Sequence, residues 1–335
     1  MARRGWRANL HKHKMNRPVD ALYGGFVNAL PSELRGLASD LPFRLGLAPT
    51  SGILWSEVFS HEVTLEAPAL VAEAFPRVSP EVVRGSILGH ALAVIEAFVT
   101  DRLLDGQIQS SPEILALSEY LRRHRDIVLE QVWPGAARIA QRSDSETRQA
   151  ISEERALLSE LGAATFEEYQ RISLGKQSVG FPASFALCRA AGATESQVEE
   201  VRRALSGVWL GLQFEDDAAD WEDDWKRGEG AWAVSLARRR LEAVKQQRTD
   251  ERPTEPDLIR RRVFNMRVLY LMLRRARHQY RSAWRYSRAL GAGRLSSWSL
   301  NRAERLTTLL PFEERHPGYV VRARKLAAWA AEVLS

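Results

Sequence analysis

Cysteine is almost absent from this chain. Cys188 stands alone, which excludes an intramolecular disulfide and a cysteine-rich zinc site and fits a reducing cytoplasm. Long apolar runs are missing as well. Even Leu88 to Val99 is interrupted by His90 and Glu96, short of the roughly 18 apolar residues that a membrane span needs, so no transmembrane helix is expected. No strand alternation, hairpin signal or internal repeat emerges. The first residues, Met1 to Arg17, carry Arg3, Arg4, Arg7, Lys12 and Lys14 without an apolar stretch. They do not read as a secretory signal, and residues 1–17 are expected to form a mobile basic tail.

Apolar material is plentiful, at 45% of 335 residues, enough for one large core. Helix signals recur along the chain. Ser79-Pro80-Glu81 and Ser111-Pro112-Glu113 each place a hydroxyl N-cap before a first-turn proline. Thr194 and Gln197 have capping-box spacing, and Pro256-Asp257 restarts the chain after the polar loop Arg248 to Glu255. These patterns predict an all-α fold, a single-domain helical bundle over residues 18–335.

Two acidic groups stand out. In Gln213 to Asp224, QFEDDAADWEDD, the carboxylates of Asp216, Asp220 and Asp224 recur every four residues and share one helix face. Carboxylates about 6 Å apart repel by roughly 0.7 kcal/mol per pair in water and nearer 3 kcal/mol at an effective dielectric of 20. Bound cations remove that penalty. A merely solvated face would favour Glu, the better helix former, and would not interleave Trp209, Leu212, Phe214, Trp221 and Trp225 with the acids. Upstream, a helix opening at Ser79 runs through Ile87, Leu88, Ala91, Val94, Ile95 and Phe98 at helical spacing and ends in Asp101-Arg102-Leu103-Leu104-Asp105, before the turn residues Gly106 to Pro112. Asp101 and Asp105 again share a face. Two such patches on different helices suit a hard, oxygen-liganded cation such as Mg²⁺.

At these residues the chain resembles the trans-isoprenyl diphosphate synthase and class I terpene synthase superfamily. Asp101, Leu103, Leu104 and Asp105 resemble its first motif, DDxxD, with Arg102 in place of the second aspartate. Tyr169 to Pro182 resembles the segment that carries a diphosphate-binding lysine, here Lys176, although Gln177 stands where threonine is usual. Gln213 to Asp220 matches QxxDDxxD position for position, and with Asp224 also the ligand spacing of terpene cyclases. The resemblance implies an all-helical bundle around a central active-site cavity. It implies Mg²⁺, three ions, held by Asp101, Asp105, Asp216, Asp217, Asp220 and Asp224, with Asp101, Asp105, Asp216 and Asp220 catalytic and Gln213 binding substrate. A linear prenyl diphosphate is the implied substrate. Lys176, Arg171, Lys226 and Arg227 are candidates to clamp its diphosphate, Arg171 lying where cyclases place a diphosphate-sensing arginine. A homodimer is allowed.

Departures from the pattern choose between branches. Chain-elongating synthases hold a second diphosphate with an N-terminal Gly-Lys-Arg segment and an arginine pair after the first motif. Here Gly106-Gln107-Ile108-Gln109 follows that motif, and residues 20–60 carry no comparable basic run. A one-substrate cyclase is therefore favoured over a prenyltransferase. Arg102 leaves a third reading, a catalytically silent regulatory relative.

A carbocation needs a dry, aromatic pocket. Trp209, two turns before Asp216, and Phe98, three residues before Asp101, are the candidates to line it. Small Ala97 permits a deep pocket, whereas Glu96 would be unwelcome against a hydrocarbon. Finally, the net charge of +6 raises a rival class, binding to nucleic acid or an anionic surface. Its support is a basic stripe, Arg274, His278, Arg281, Arg285 and Arg288, with Tyr280, Trp284 and Tyr286 interleaved. No nucleic-acid motif accompanies it, so no nucleic-acid partner is expected. Arg285-Tyr286 also resembles the Arg-Tyr pair of terpene cyclases.

Overall fold

A computed structural model describes residues 17–59, 61–159, 163–227, 231–245, 260, 263–264 and 266–333. Among these, the secondary structure is helical. The helices are α1 (Pro18–Ala29), α2 (Ser32–Ser39), α3 (Leu41–Arg44), α4 (Trp55–Val58), α5 (Glu62–Ala72), α6 (Pro80–Leu104), α7 (Pro112–Val132), α8 (Ala136–Ser159), α9 (Phe166–Lys176), α10 (Pro182–Ala190), α11 (Glu195–Lys226), α12 (Trp232–Lys245), α13 (Val268–Leu290), α14 (Gly293–Arg315) and α15 (Tyr319–Val333). No strand occurs among the described residues.

The caps act where the sequence places them. Ser79 Oγ accepts from the Val82 amide at 3.3 Å to open α6, and Ser111 Oγ accepts from Ile114 at 3.3 Å to open α7. The Thr194 hydroxyl and Gln197 side chain cap each other's backbone amides at 3.3 and 2.9 Å and open α11. α6 ends at Asp105, followed by Gly106 at φ 65°, a conformation that glycine adopts without strain. Residues 1–16, the loop Arg248 to Glu255 and Pro256-Asp257 lie outside the described residues. Arg17, assigned to the tail, belongs to the fold: it precedes α1, and its guanidinium donates to the Phe59 carbonyl at 3.0 Å and lies 3.4 Å from the Glu66 carboxylate.

The core has an N-terminal and a C-terminal part with a bridge between them. Tyr23, Phe26, Leu92, Ile95, Leu117 and Leu121 pack α1, α6 and α7 together. Phe214, Trp221, Leu269, Leu273, Tyr280 and Leu306 join α11, α13 and α14. Between these two, Leu70, Leu187, Leu205, Val208, Trp209 and Leu295 connect α5, α10, α11 and α14. α6 is the one described helix long and apolar enough to cross a membrane by composition. It lies instead at the centre of the bundle, packed by α1, α5, α7 and α10.

α11 and α13 meet in the most extensive helix contact among the described residues. Two glycines make it possible. A Cβ at Gly207 would lie 2.6 Å from the Gln279 carbonyl oxygen, and one at Gly211 would lie 2.4 Å from the Tyr280 ring. With only hydrogens there, the backbones approach closely, and α11 is fixed with its acidic second half directed toward α9 and α15.

Candidate active site

The four-residue spacing of the second acidic motif brings two of its carboxylates to one partner. Asp216 and Asp220 converge on one cation, the Arg324 guanidinium of α15, at 3.3 and 2.7 Å. Asp224, one turn on, pairs with Arg227. Asp217 points elsewhere: its carboxylate accepts from the Tyr169 hydroxyl at 2.6 Å and from the Gln213 amide at 2.8 Å. Burial pushes the Asp217 carboxyl up, against the Tyr169 hydrogen bond and the Lys176 charge, which favour its ionised form. Gln177 donates in turn to Gln213 at 3.3 Å. Glu215, on another face, accepts from Tyr280 at 2.6 Å and from Arg302 at 2.5 Å, which ties α11 to α13 and α14.

Lys176 lies among these acids because α9 ends there. Thr165 and Glu168 form a capping box that starts the helix, at 3.1 and 2.7 Å. After Lys176 the chain makes a single 3-10 turn, Ser178–Gly180, before α10 resumes. A cation at the last turn of α9 is favoured by the helix dipole. The Lys176 ammonium bonds Glu154 of α8 at 2.5 Å, and Glu154 also accepts from the Trp232 indole at 2.8 Å. Burial alone would lower the Lys176 pKa. The negative charges of Glu154, Asp101 and Asp217 more than offset it, so the lysine stays protonated with its pKa raised. Lys176 therefore feels the end of α6 and the second motif of α11 together, two segments more than a hundred residues apart in sequence.

The remaining expected residues divide. Asp105 pairs with Arg155 of α8, and Arg171 with Glu153 at 2.5 Å, where Arg171 is exposed. Lys226 and Arg227 lie exposed at the end of α11. Trp209 is buried, with its ring centroid 6.2 Å from that of His90 and its indole against Gly180, so it lies between α6, the 3-10 turn and α11. Phe98 belongs to a different part of the core, with its ring 5.1 Å from Phe59. Glu96 is buried, with its carboxylate accepting from Thr100 at 2.9 Å and from Ser118 of α7 at 3.0 Å. Arg102 is buried at the last turn of α6. The Arg285-Tyr286 pair is not at the acidic cluster: Arg285 is exposed, and the Tyr286 hydroxyl meets Arg203, more than three turns of α11 before Asp216.

Arg324, Glu154, Arg155 and Tyr169 were not singled out from the sequence. Glu153-Glu154 could have been found as a third acidic pair. Arg324 has no local motif.

The six aspartates assigned to metal do not form one cluster. Among the described residues, no three Asp, Glu, His or Cys side chains converge as a ligand set. Asp216 and Asp220 nevertheless share a single positive charge, and that guanidinium is a stand-in for a cation between oxygen donors. Two carboxylates completed by water and phosphate oxygens are the ligand set Mg²⁺ commonly takes. The two carboxylates are thus of the donor type that Mg²⁺ takes, and the Arg324 guanidinium lies between them.

No protein-family model matches the chain, and no curated protein matches it significantly. Its structure is similar to that of a polyprenyl synthetase from Streptomyces coelicolor A3(2), with a TM-score of 0.60 over 85% of this chain and 96% of that chain, at 14% sequence identity. At this identity the likeness is one of fold. The chain thus has the all-helical fold of the isoprenoid synthases.

Proposed function

We propose that this protein is a class I terpene synthase that ionises a linear allylic prenyl diphosphate, releases diphosphate and converts the carbocation to a hydrocarbon or alcohol. The observation that carries this reading is Lys176, a cation bonded to Glu154 at 2.5 Å and in the field of both Asp101 and Asp217, together with the pairing of Asp216 and Asp220 on one guanidinium, that of Arg324. Lys176 can hold the leaving diphosphate by a charge-assisted hydrogen bond. Mg²⁺ held by Asp216 and Asp220, with Asp101 and Asp105 as candidates from α6, supplies Lewis acidity toward the diphosphate oxygens. Trp209, dry and aromatic between the two motif helices, suits stabilisation of positive charge without trapping it.

A specific observation favours a second reading. A solved structure of similar fold is a polyprenyl synthetase, so a prenyltransferase that joins isopentenyl diphosphate to an allylic partner has the precedent of the same fold. The exposed stripe of α13 offers no help in holding a second diphosphate inside the bundle, because Arg274, Arg281, Arg285 and Arg288 face solvent. Repulsion between two diphosphates in a partly desolvated site needs dedicated cations. The test is incubation with Mg²⁺ and geranyl, farnesyl or geranylgeranyl diphosphate, with and without labelled isopentenyl diphosphate, followed by mass spectrometry. A terpene plus free diphosphate, unaffected by isopentenyl diphosphate, is expected. Label in a longer prenyl diphosphate establishes the prenyltransferase instead.

A further inference from the structure

α13 has an unusual charge pattern. Its 23 residues include Arg274, Arg275, Arg277, Arg281, Arg285 and Arg288, and no Asp or Glu. The inner face, with Leu269, Met272, Leu273, Ala276, Tyr280 and Ala283, is buried against α11 and α14. Consequently Arg274, His278, Arg281, Arg285 and Arg288 form one exposed row on the outer face. From the first to the last the row spans about 21 Å along a helix.

Exposed arginines elsewhere are neutralised locally, as in Arg84 with Glu81, Arg142 with Glu146 and Arg202 with Glu199. On α13, Arg274, His278, Arg281 and Arg285 make no ion pair among the described residues. Like charges three and four residues apart weaken a helix. Here the buried face holds the helix in place, so the row is preformed.

We propose that this row docks the protein on the surface of an anionic lipid bilayer. Charge complementarity calls for a polyanion, and guanidinium groups bind phosphate oxygens as a fork. The shape favours a plane: the row is straight on a fixed helix, so all of it can meet a flat surface at once, whereas a duplex backbone curves away from a straight line. Trp284 lies beside the row, half-buried, with the Arg288 guanidinium 5.6 Å over its ring, and an indole with an apolar body and a polar edge suits the headgroup level. The apolar residues of α13 face inward, so the contact is electrostatic and peripheral rather than inserted. This inference does not depend on which reaction the interior carries out.

The test is co-sedimentation of the full chain with phosphatidylcholine vesicles, with or without about 30% phosphatidylglycerol, at low and high salt. The expected result is binding to the anionic vesicles that falls steeply with salt, because each basic residue near such a surface contributes about fivefold. Arg274→Glu/Arg281→Glu/Arg285→Glu should lower the partition coefficient by at least about a hundredfold. Replacing the same three by Gln guards against misfolding of the charge-reversed variant and should give a loss of the same order. A charge-matched variant at exposed positions elsewhere, Arg123→Glu/Arg138→Glu/Arg148→Glu, should retain most of the binding. Equal binding to neutral vesicles, equal loss in the charge-matched variant, or no loss in the α13 variants overturns the proposal. So does tighter binding to a random RNA or duplex DNA at the same salt, which would assign the row to nucleic acid.

Discussion

The His90 imidazole is fully buried, with Nε2 3.1 Å from the Thr64 carbonyl. A carbonyl only accepts, so Nε2 carries the proton of a neutral ring. Burial lowers the His90 pKa to about 4, and the hydrogen bond only partly opposes it. An unfolded chain titrates this group near 6.5, so between those values the unfolded state binds more protons. The contribution of a neutral His90 is fully present above pH 6.5 and is lost as the pH falls toward 4, by up to about 3 kcal/mol. His90→Gln keeps a donor for Thr64 and should flatten the fall of the urea midpoint between pH 6.5 and 4.5. An unchanged slope would contradict this assignment. Lys176 is the second residue whose surroundings set its behaviour. Lys176→Ala should weaken binding of inorganic diphosphate in the presence of Mg²⁺ by roughly 1.5 to 3 kcal/mol, as for a lost charge-assisted hydrogen bond. Arg171, exposed and paired with Glu153, should matter less when changed to Ala, and calorimetry of the two variants ranks them.

The α11–α13 contact depends on a missing side chain. At Gly207 an added methyl would meet the Gln279 carbonyl and the Ala283 amide nitrogen, both backbone atoms, so no rotamer change relieves the clash. Gly207→Ala should lower stability by about 1–3 kcal/mol in urea denaturation. Gly25, exposed within α1 with nothing within 4 Å of a built Cβ, is the contrasting case. Gly25→Ala should be neutral or stabilising by up to about 1 kcal/mol. The helix starts were legible because a cap is local: Ser79, Ser111 and Thr194 each act within three residues. The QFEDDAAD stretch was legible for the same reason, since four-residue spacing puts Asp216 and Asp220 on one face wherever the helix lies. The separation of Phe98 from Trp209 was not, because helical periodicity says that a residue is buried but not against which neighbour.

In the molecule as a whole, the last helix sits on the acidic site. α15 grips α11 by Arg324 on Asp216 and Asp220 and by Lys325 on Glu222 at 2.7 Å. No sequence signal pointed to this contact, because partners 103 to 108 residues apart share no local pattern. On the proposed reading, a divalent cation at Asp216 and Asp220 would displace a resident guanidinium. Arg324→Gln should therefore tighten Mg²⁺ binding several-fold, given that partly exposed pairs of this kind contribute about 0.2–1 kcal/mol each. Calorimetric titration with Mg²⁺ checks it, and an unchanged or weaker affinity counts against competition. The central claim, that this acidic face serves ionisation of an allylic diphosphate, is tested most directly by the rate of diphosphate release from farnesyl or geranylgeranyl diphosphate. With Mg²⁺ the wild type should release diphosphate, stop on adding EDTA and recover with fresh Mg²⁺. Asp216→Asn/Asp220→Asn, shown to be folded, should be at least about a hundredfold slower. Near-normal release by that variant, or none by the wild type from any prenyl diphosphate, would contradict the account.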